Sequence, residues 1–183
     1  MTNFIKNRHV VNLIIILTLM ISSCKPQAIP DLGIFENSTA VGMPKLAGTS
    51  SYIADLDEYT ITGAGENMWF ANDEFQFLSK KINGDFILKA RVRFIGEGVN
   101  AHRKFGIMVR DSLSGESAHI NAVVHGDGLT SLQYRSQVGN DTEEAKADIV
   151  GPNVIQLERK GDTFIFSSAI DGDTFTTVEV SHL

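Results

Sequence analysis

The chain of 183 residues carries 16 basic and 22 acidic side chains, a formal charge of −6, and a single cysteine. That balance excludes the basic stripe a phosphate backbone requires, so nucleic acid is not expected as a partner. One thiol excludes a disulfide-held scaffold, and 11 Phe and 16 Gly against four Pro point to a β-rich globular domain held by packing and sheet hydrogen bonds.

Lys6 and Arg8 precede an apolar run from Val10 to Met20 that is broken only by Asn12 and Thr18, and the run ends in Ile21-Ser22-Ser23-Cys24. A basic start, an apolar middle and small residues before the cysteine form the pattern of a bacterial lipoprotein signal. Residues 1–23 are therefore expected to be a signal peptide removed before Cys24, with acyl chains on Cys24 as the membrane partner. Two readings compete, an ordinary secretory signal and a single transmembrane anchor with a buried structural cysteine, and against the latter the apolar run is shorter than the ~20 residues a spanning helix needs. An extracytoplasmic, lipid-anchored product follows, and with Lys25-Pro26-Gln27 after the cysteine the outer membrane, facing the periplasm, is preferred. Pro26, Pro30 and Pro44 lie among small and polar residues, so residues 24–47 read as a linker that ends in a first edge strand, and residues 48–183 as the folded domain.

From Gly48 onward short alternating runs are punctuated by Gly and Asp, without a helical period. Tyr52 to Ile61 reads as two strands around a turn at Asp55-Leu56-Asp57. Asn67 to Leu78, with Trp69, Phe70, Phe75 and Phe77, reads as containing a strand that enters the core. In Gly84 to Phe94 the residues Phe86, Leu88, Ala90, Val92 and Phe94 alternate with Ile87, Lys89, Arg91 and Arg93, giving one core face and one solvent face. Further strands are expected at Lys104–Arg110, His119–His125, Leu129–Arg135, Val154–Arg159, Phe164–Ile170 and Phe175–Val180. Gly161 and Gly172 mark tight turns. The charged stretch Gly139 to Asp148 is either a strand end or an exposed loop. Nine to eleven strands in a domain of this size call for two antiparallel sheets packed face to face.

Three consecutive strands carry polar residues in step. If neighbours in sequence are neighbours in the sheet, Arg110, His119, Asn121, His125, Gln133 and Arg135 converge on one face. Guanidinium forks, amides and imidazoles are the groups that hydroxyl-rich or anionic ligands need, and an exposed ring such as Trp69 adds a platform for a sugar. The competing reading is an ordinary solvated sheet face. Asp127 and the Asp171-Gly172-Asp173 turn read as turn residues, not as metal ligands, and no cofactor or metal motif is present. No nucleophile elbow, phosphate loop or His-Glu-x-x-His occurs, and the adjacent Glu143 and Glu144 would point apart on a strand, so no catalytic pair is evident.

The runs Gly84-Asp85-Phe86-Ile87-Leu88-Lys89-Ala90-Arg91-Val92, Lys104-Phe105-Gly106-Ile107-Met108-Val109-Arg110 and Val154-Ile155-Gln156-Leu157-Glu158-Arg159 resemble concanavalin A-like lectin/glucanase domains. Asn67-Met68-Trp69-Phe70 and the stretch from His119 to Gln133 are similar to the module that precedes TolB-like β-propellers in bacterial lipoproteins. The resemblance implies a jelly-roll β-sandwich, and since related modules continue past Phe175–Val180, one that lacks C-terminal strands. It does not fix a ligand. The Glu-x-Asp-x-x-Glu strand of the glucanase members is absent. The leading expectation is noncatalytic binding of a glycan or envelope polymer through the six-residue face. A structural or protein-interaction module beside a TolB-like propeller or another envelope protein comes second, and a glycoside hydrolase or lyase of the same fold third.

Overall fold

The structure, a computed structural model, describes residues 30 to 181. The signal segment and Cys24 lie outside the described residues. Among the described residues, twelve strands and one short 3-10 turn form an all-β fold, and every strand pairing is antiparallel.

Two four-stranded sheets make the body of a β-sandwich. Sheet I has the order β12-β11-β10-β5, from β5 (Phe86–Arg91), β10 (Val154–Lys160), β11 (Thr163–Ala169) and β12 (Thr176–Ser181). Sheet II has the order β6-β7-β8-β9, from β6 (Lys104–Arg110), β7 (His119–His125), β8 (Thr130–Arg135) and β9 (Glu143–Lys146). Strand alternation sends Ile107, Ile120, Ala122, Val124 and Leu132 of sheet II against Ile155, Leu157, Phe164 and Phe166 of sheet I, and these buried residues form one core. Phe86, Leu88 and Val92 pack on that core while Ile87 faces solvent, as their alternation requires. Gly161, at φ 63°, lets β10 turn into β11 through a two-residue loop.

Two further pairs flank the body: β1 (Asn37–Val41) with β4 (Phe75–Ser79), and β2 (Thr49–Ile53) with β3 (Glu58–Thr62). The turn between β2 and β3 is a 3-10 turn over Ala54–Leu56, closed by Asp57 in the left-handed conformation at φ 48°. Strand β1 shows that the folded part starts before residue 48. Val41 is fully buried and pairs opposite Phe75, so the Pro-bounded segment is only in part a linker. Strand β9 resolves the charged stretch: Glu143 and Glu144 lie in a strand, opposite Tyr134 and Gln133.

The aromatic segment Asn67 to Leu78 contains the expected strand, with Leu78 buried, but only at its end. Only Phe75–Ser79 is a strand, and residues 64–74 run as an irregular strap. Glu74 N–H donates to the Asn67 carbonyl at 2.9 Å and so closes a loop. Gly65 is required at its base, because a β-carbon there would collide with the Glu74 backbone. The strap lies across the outer, polar face of sheet II.

Candidate functional site

Strand register brings the six residues together as the sequence implied. Arg110 pairs with His119 and His119 with Arg135, while Asn121 pairs with Gln133 and Lys104 with His125. Parity places all of them on the side of sheet II that faces away from the core, and Lys104, Met108, Val123, Ser131 and Glu144 share that side. The face is nevertheless not open. The side chains of Arg110, His119 and Arg135 are almost wholly enclosed, and Asn121, His125 and Gln133 are buried. The expected exposed recognition face, with all six groups presented to a ligand, is replaced by a buried layer under the strap. Alternation could show that these groups share a side. It could not show that residues 64–74 cross over that side.

Asp73, brought in by the strap, is the reason the layer holds together. Its two carboxylate oxygens accept from Arg135 Nη2 at 2.7 Å and Nη1 at 2.9 Å, a bidentate pair, and Oδ2 also accepts from Arg110 Nη1 at 3.3 Å. Arg135 donates further to the carbonyls of Asn140 (2.8 Å), Ser117 (3.0 Å), Gly115 (3.1 Å) and Phe70. Arg110 donates to the carbonyls of Ser112 (2.6 Å) and Ser114, and its guanidinium stands 5.2 Å from the centre of the Phe75 ring. Two guanidiniums thus tie the strap to the β6–β7 and β8–β9 loops. This is structural chemistry, with no guanidinium left for a ligand.

His119 lies in the same cluster, with Nδ1 3.4 Å from the Ser117 carbonyl and 3.5 Å from Asp73 Oδ2. Burial, reinforced by the charges of Arg135 and Arg110 and opposed by Asp73, pushes its pKa down to about 4, so the ring is neutral at pH 7.

The other end of the buried layer is built differently. Gln133 Oε1 accepts from Lys104 Nζ at 3.3 Å, while Gln133 Nε2 faces His125 Nε2 at 3.3 Å and Glu144 Oε2 at 3.5 Å. Lys104 Nζ stands 6.0 Å from the centre of the half-buried Trp69 ring, and the His102 ring meets His125 edge-on at 5.8 Å. Here polar capacity is left over. The Lys104 ammonium makes one long hydrogen bond among the described residues, and burial lowers its pKa to about 8 although Glu144 and Asp73 oppose the shift. His125 accepts from Gln133 at Nε2, which places its proton on Nδ1, and that buried atom has no partner. Ser131 Oγ, on the same face, has none either. Burial, with Lys104 and His102 adding to it, holds the His125 pKa at about 4.

Sequence reasoning singled out His125, Gln133 and Trp69 from this corner and missed Lys104 and Glu144, which parity with Gln133 and Arg110 would have added. It missed Asp73 as well, one of two adjacent acids between Trp69-Phe70 and Phe75. Glu143 and Glu144 do point apart, with Tyr134 Oη donating to Glu143 and Gln133 Nε2 to Glu144. Among the described residues no cluster of three His, Cys, Asp or Glu is placed to hold a metal ion, and no helix is long and apolar enough to cross a membrane. Comparison of the chain with family models, with curated proteins and with solved structures finds no match.

Proposed function

We propose that this chain is an extracytoplasmic β-sandwich module, lipid-anchored through Cys24, that binds a glycan or similar hydroxyl-rich envelope polymer noncatalytically at the corner of Trp69, Lys104, His125, Gln133 and Glu144. The observation that carries the reading is the concentration of underused polar groups beside an indole ring. Lys104 has spare ammonium donors, Glu144 supplies carboxylate oxygens and Trp69 a flat apolar surface, while the enclosed Gln133 holds Lys104 and Glu144 in place from beneath. A sugar needs hydroxyl partners on its rim and an apolar partner for its ring face. Arg110, His119, Asn121 and Arg135 support the corner from within and do not touch the ligand.

The test is a glycan array followed by titration of any glycan captured. Lys104→Met and Glu144→Gln should each weaken binding by about ten-fold, equivalent to about 1.4 kcal/mol. Lys89→Ala on sheet I should leave it unchanged. Arg110→Ala is uninformative, because it dismantles the strap whatever the ligand site is. Binding that survives Lys104→Met, or an array without any captured glycan, overturns the proposal.

A further inference from the structure

The two buried guanidiniums also fix the far end of the sandwich, where three loops meet. Thr142 N–H donates to the Trp69 carbonyl at 3.1 Å, Asp73 N–H to the Gly115 carbonyl at 2.9 Å, and Gly139 N–H to the Glu116 carbonyl at 3.0 Å. The strap, the β6–β7 loop (111–118) and the β8–β9 loop (136–142) are therefore stitched into one surface, with Arg135 donating to carbonyls from all three. Each loop presents one large apolar side chain to solvent: Phe70 at 65% exposure, Leu113 at 54% and Val138 at 65%. Preorganised loops carrying solvent-exposed apolar groups are suited to recognition, since little entropy is lost when a partner covers them.

Charge selects the partner. Asp111, Glu116 and Asp141, in the same loops as Leu113 and Val138, are exposed, and the only basic side chains in or adjoining the three loops, Arg110 and Arg135, are enclosed. An acidic rim repels the anionic surface of a bilayer and favours a cationic partner. We infer that Phe70, Leu113 and Val138, rimmed by Asp111, Glu116 and Asp141, form a docking surface for a basic protein segment with an apolar centre. Leu113 and Val138 lie on the loops that leave the Arg110 and Arg135 ends of β6 and β8, the opposite strand ends from Lys104. An aromatic anchor flanked by aliphatic residues supplies the apolar centre such an interface requires, and the acids supply steering and orientation.

The full chain in phosphatidylcholine nanodiscs, titrated with a short amphipathic leucine–lysine peptide and followed by backbone amide NMR, tests this. Saturable shifts are expected in residues 111–118 and 136–142, and they should weaken with added salt. The Leu113→Ser, Val138→Ser double variant should bind the peptide about ten-fold more weakly. Both substitutions are at exposed sites, so an unchanged melting temperature confirms that the fold persists. Undiminished affinity in the double variant, or peptide shifts located elsewhere or absent, overturns the inference. So do shifts of the same amides on moving to phosphatidylglycerol nanodiscs without peptide, which would identify a lipid-binding face.

Discussion

Asp73 is a single carboxylate set against two guanidiniums and a neutral imidazole, all enclosed. Replacing it by Asn leaves two buried like charges without their counter-ion, so Asp73→Asn should destabilise the fold by about 3–5 kcal/mol in urea unfolding. Arg135→Lys should also be damaging despite the retained charge. An ammonium cannot reproduce a planar fork that binds one carboxylate and four carbonyls at once. Lys104 should behave in the opposite sense. Its pKa falls from 10.5 to about 8 on folding, so its charged form opposes folding below pH 8, and the penalty is relieved as pH rises from 8 to 10.5. Lys104→Met should therefore raise stability at neutral pH by up to about 3 kcal/mol and abolish that alkaline rise, while weakening glycan binding. Under the proposed function Lys104 gives up stability for binding, the trade expected of a recognition site.

At the scale of elements, the strap decides whether the polar face is a binding face or an interior layer. Gly65→Ala would drive a side chain into the Glu74 backbone and should lift the strap, at about 1–3 kcal/mol, with faster proteolysis confined to residues near 64–74. The sandwich strands were legible because alternation is a local property: Phe86 to Val92, Ile107, Ile120 to Val124 and Leu157 each show their buried side in the sequence itself. The convergence of Arg110, His119 and Arg135 was legible for the same reason, combined with neighbour pairing of sequential strands. The strap was not legible. Its aromatic residues look like a strand, and its irregular path is fixed by Asp73 meeting side chains 37 and 62 positions away. The edge strand expected at the end of the Pro-bounded segment is β1, but its place in the folded body was not legible, since the buried Val41 has its partner, Phe75, far along the chain.

For the molecule as a whole, two buried neutral histidines make stability depend on pH. His119 and His125 have folded pKa values of about 4 against 6.5 for a free imidazole, so the unfolded chain binds more protons between those limits. Stability should be full above pH 6.5 and should fall as pH drops toward 4, by up to about 3 kcal/mol for each histidine. Against a typical total of about 5–15 kcal/mol, that loss should lower the melting temperature markedly. The His119→Asn, His125→Asn double variant should show a flatter profile over the same range, whatever its stability at pH 7.

The clamp between strap and sheet can be measured directly by a double-mutant cycle in urea unfolding with Asp73→Asn and Arg135→Met. If the buried pair holds the strap over sheet II, the double variant should be little less stable than the worse single variant, leaving a coupling of about 2–3 kcal/mol. Additive losses, with coupling near zero, would contradict the clamp and reopen the polar face as a ligand surface.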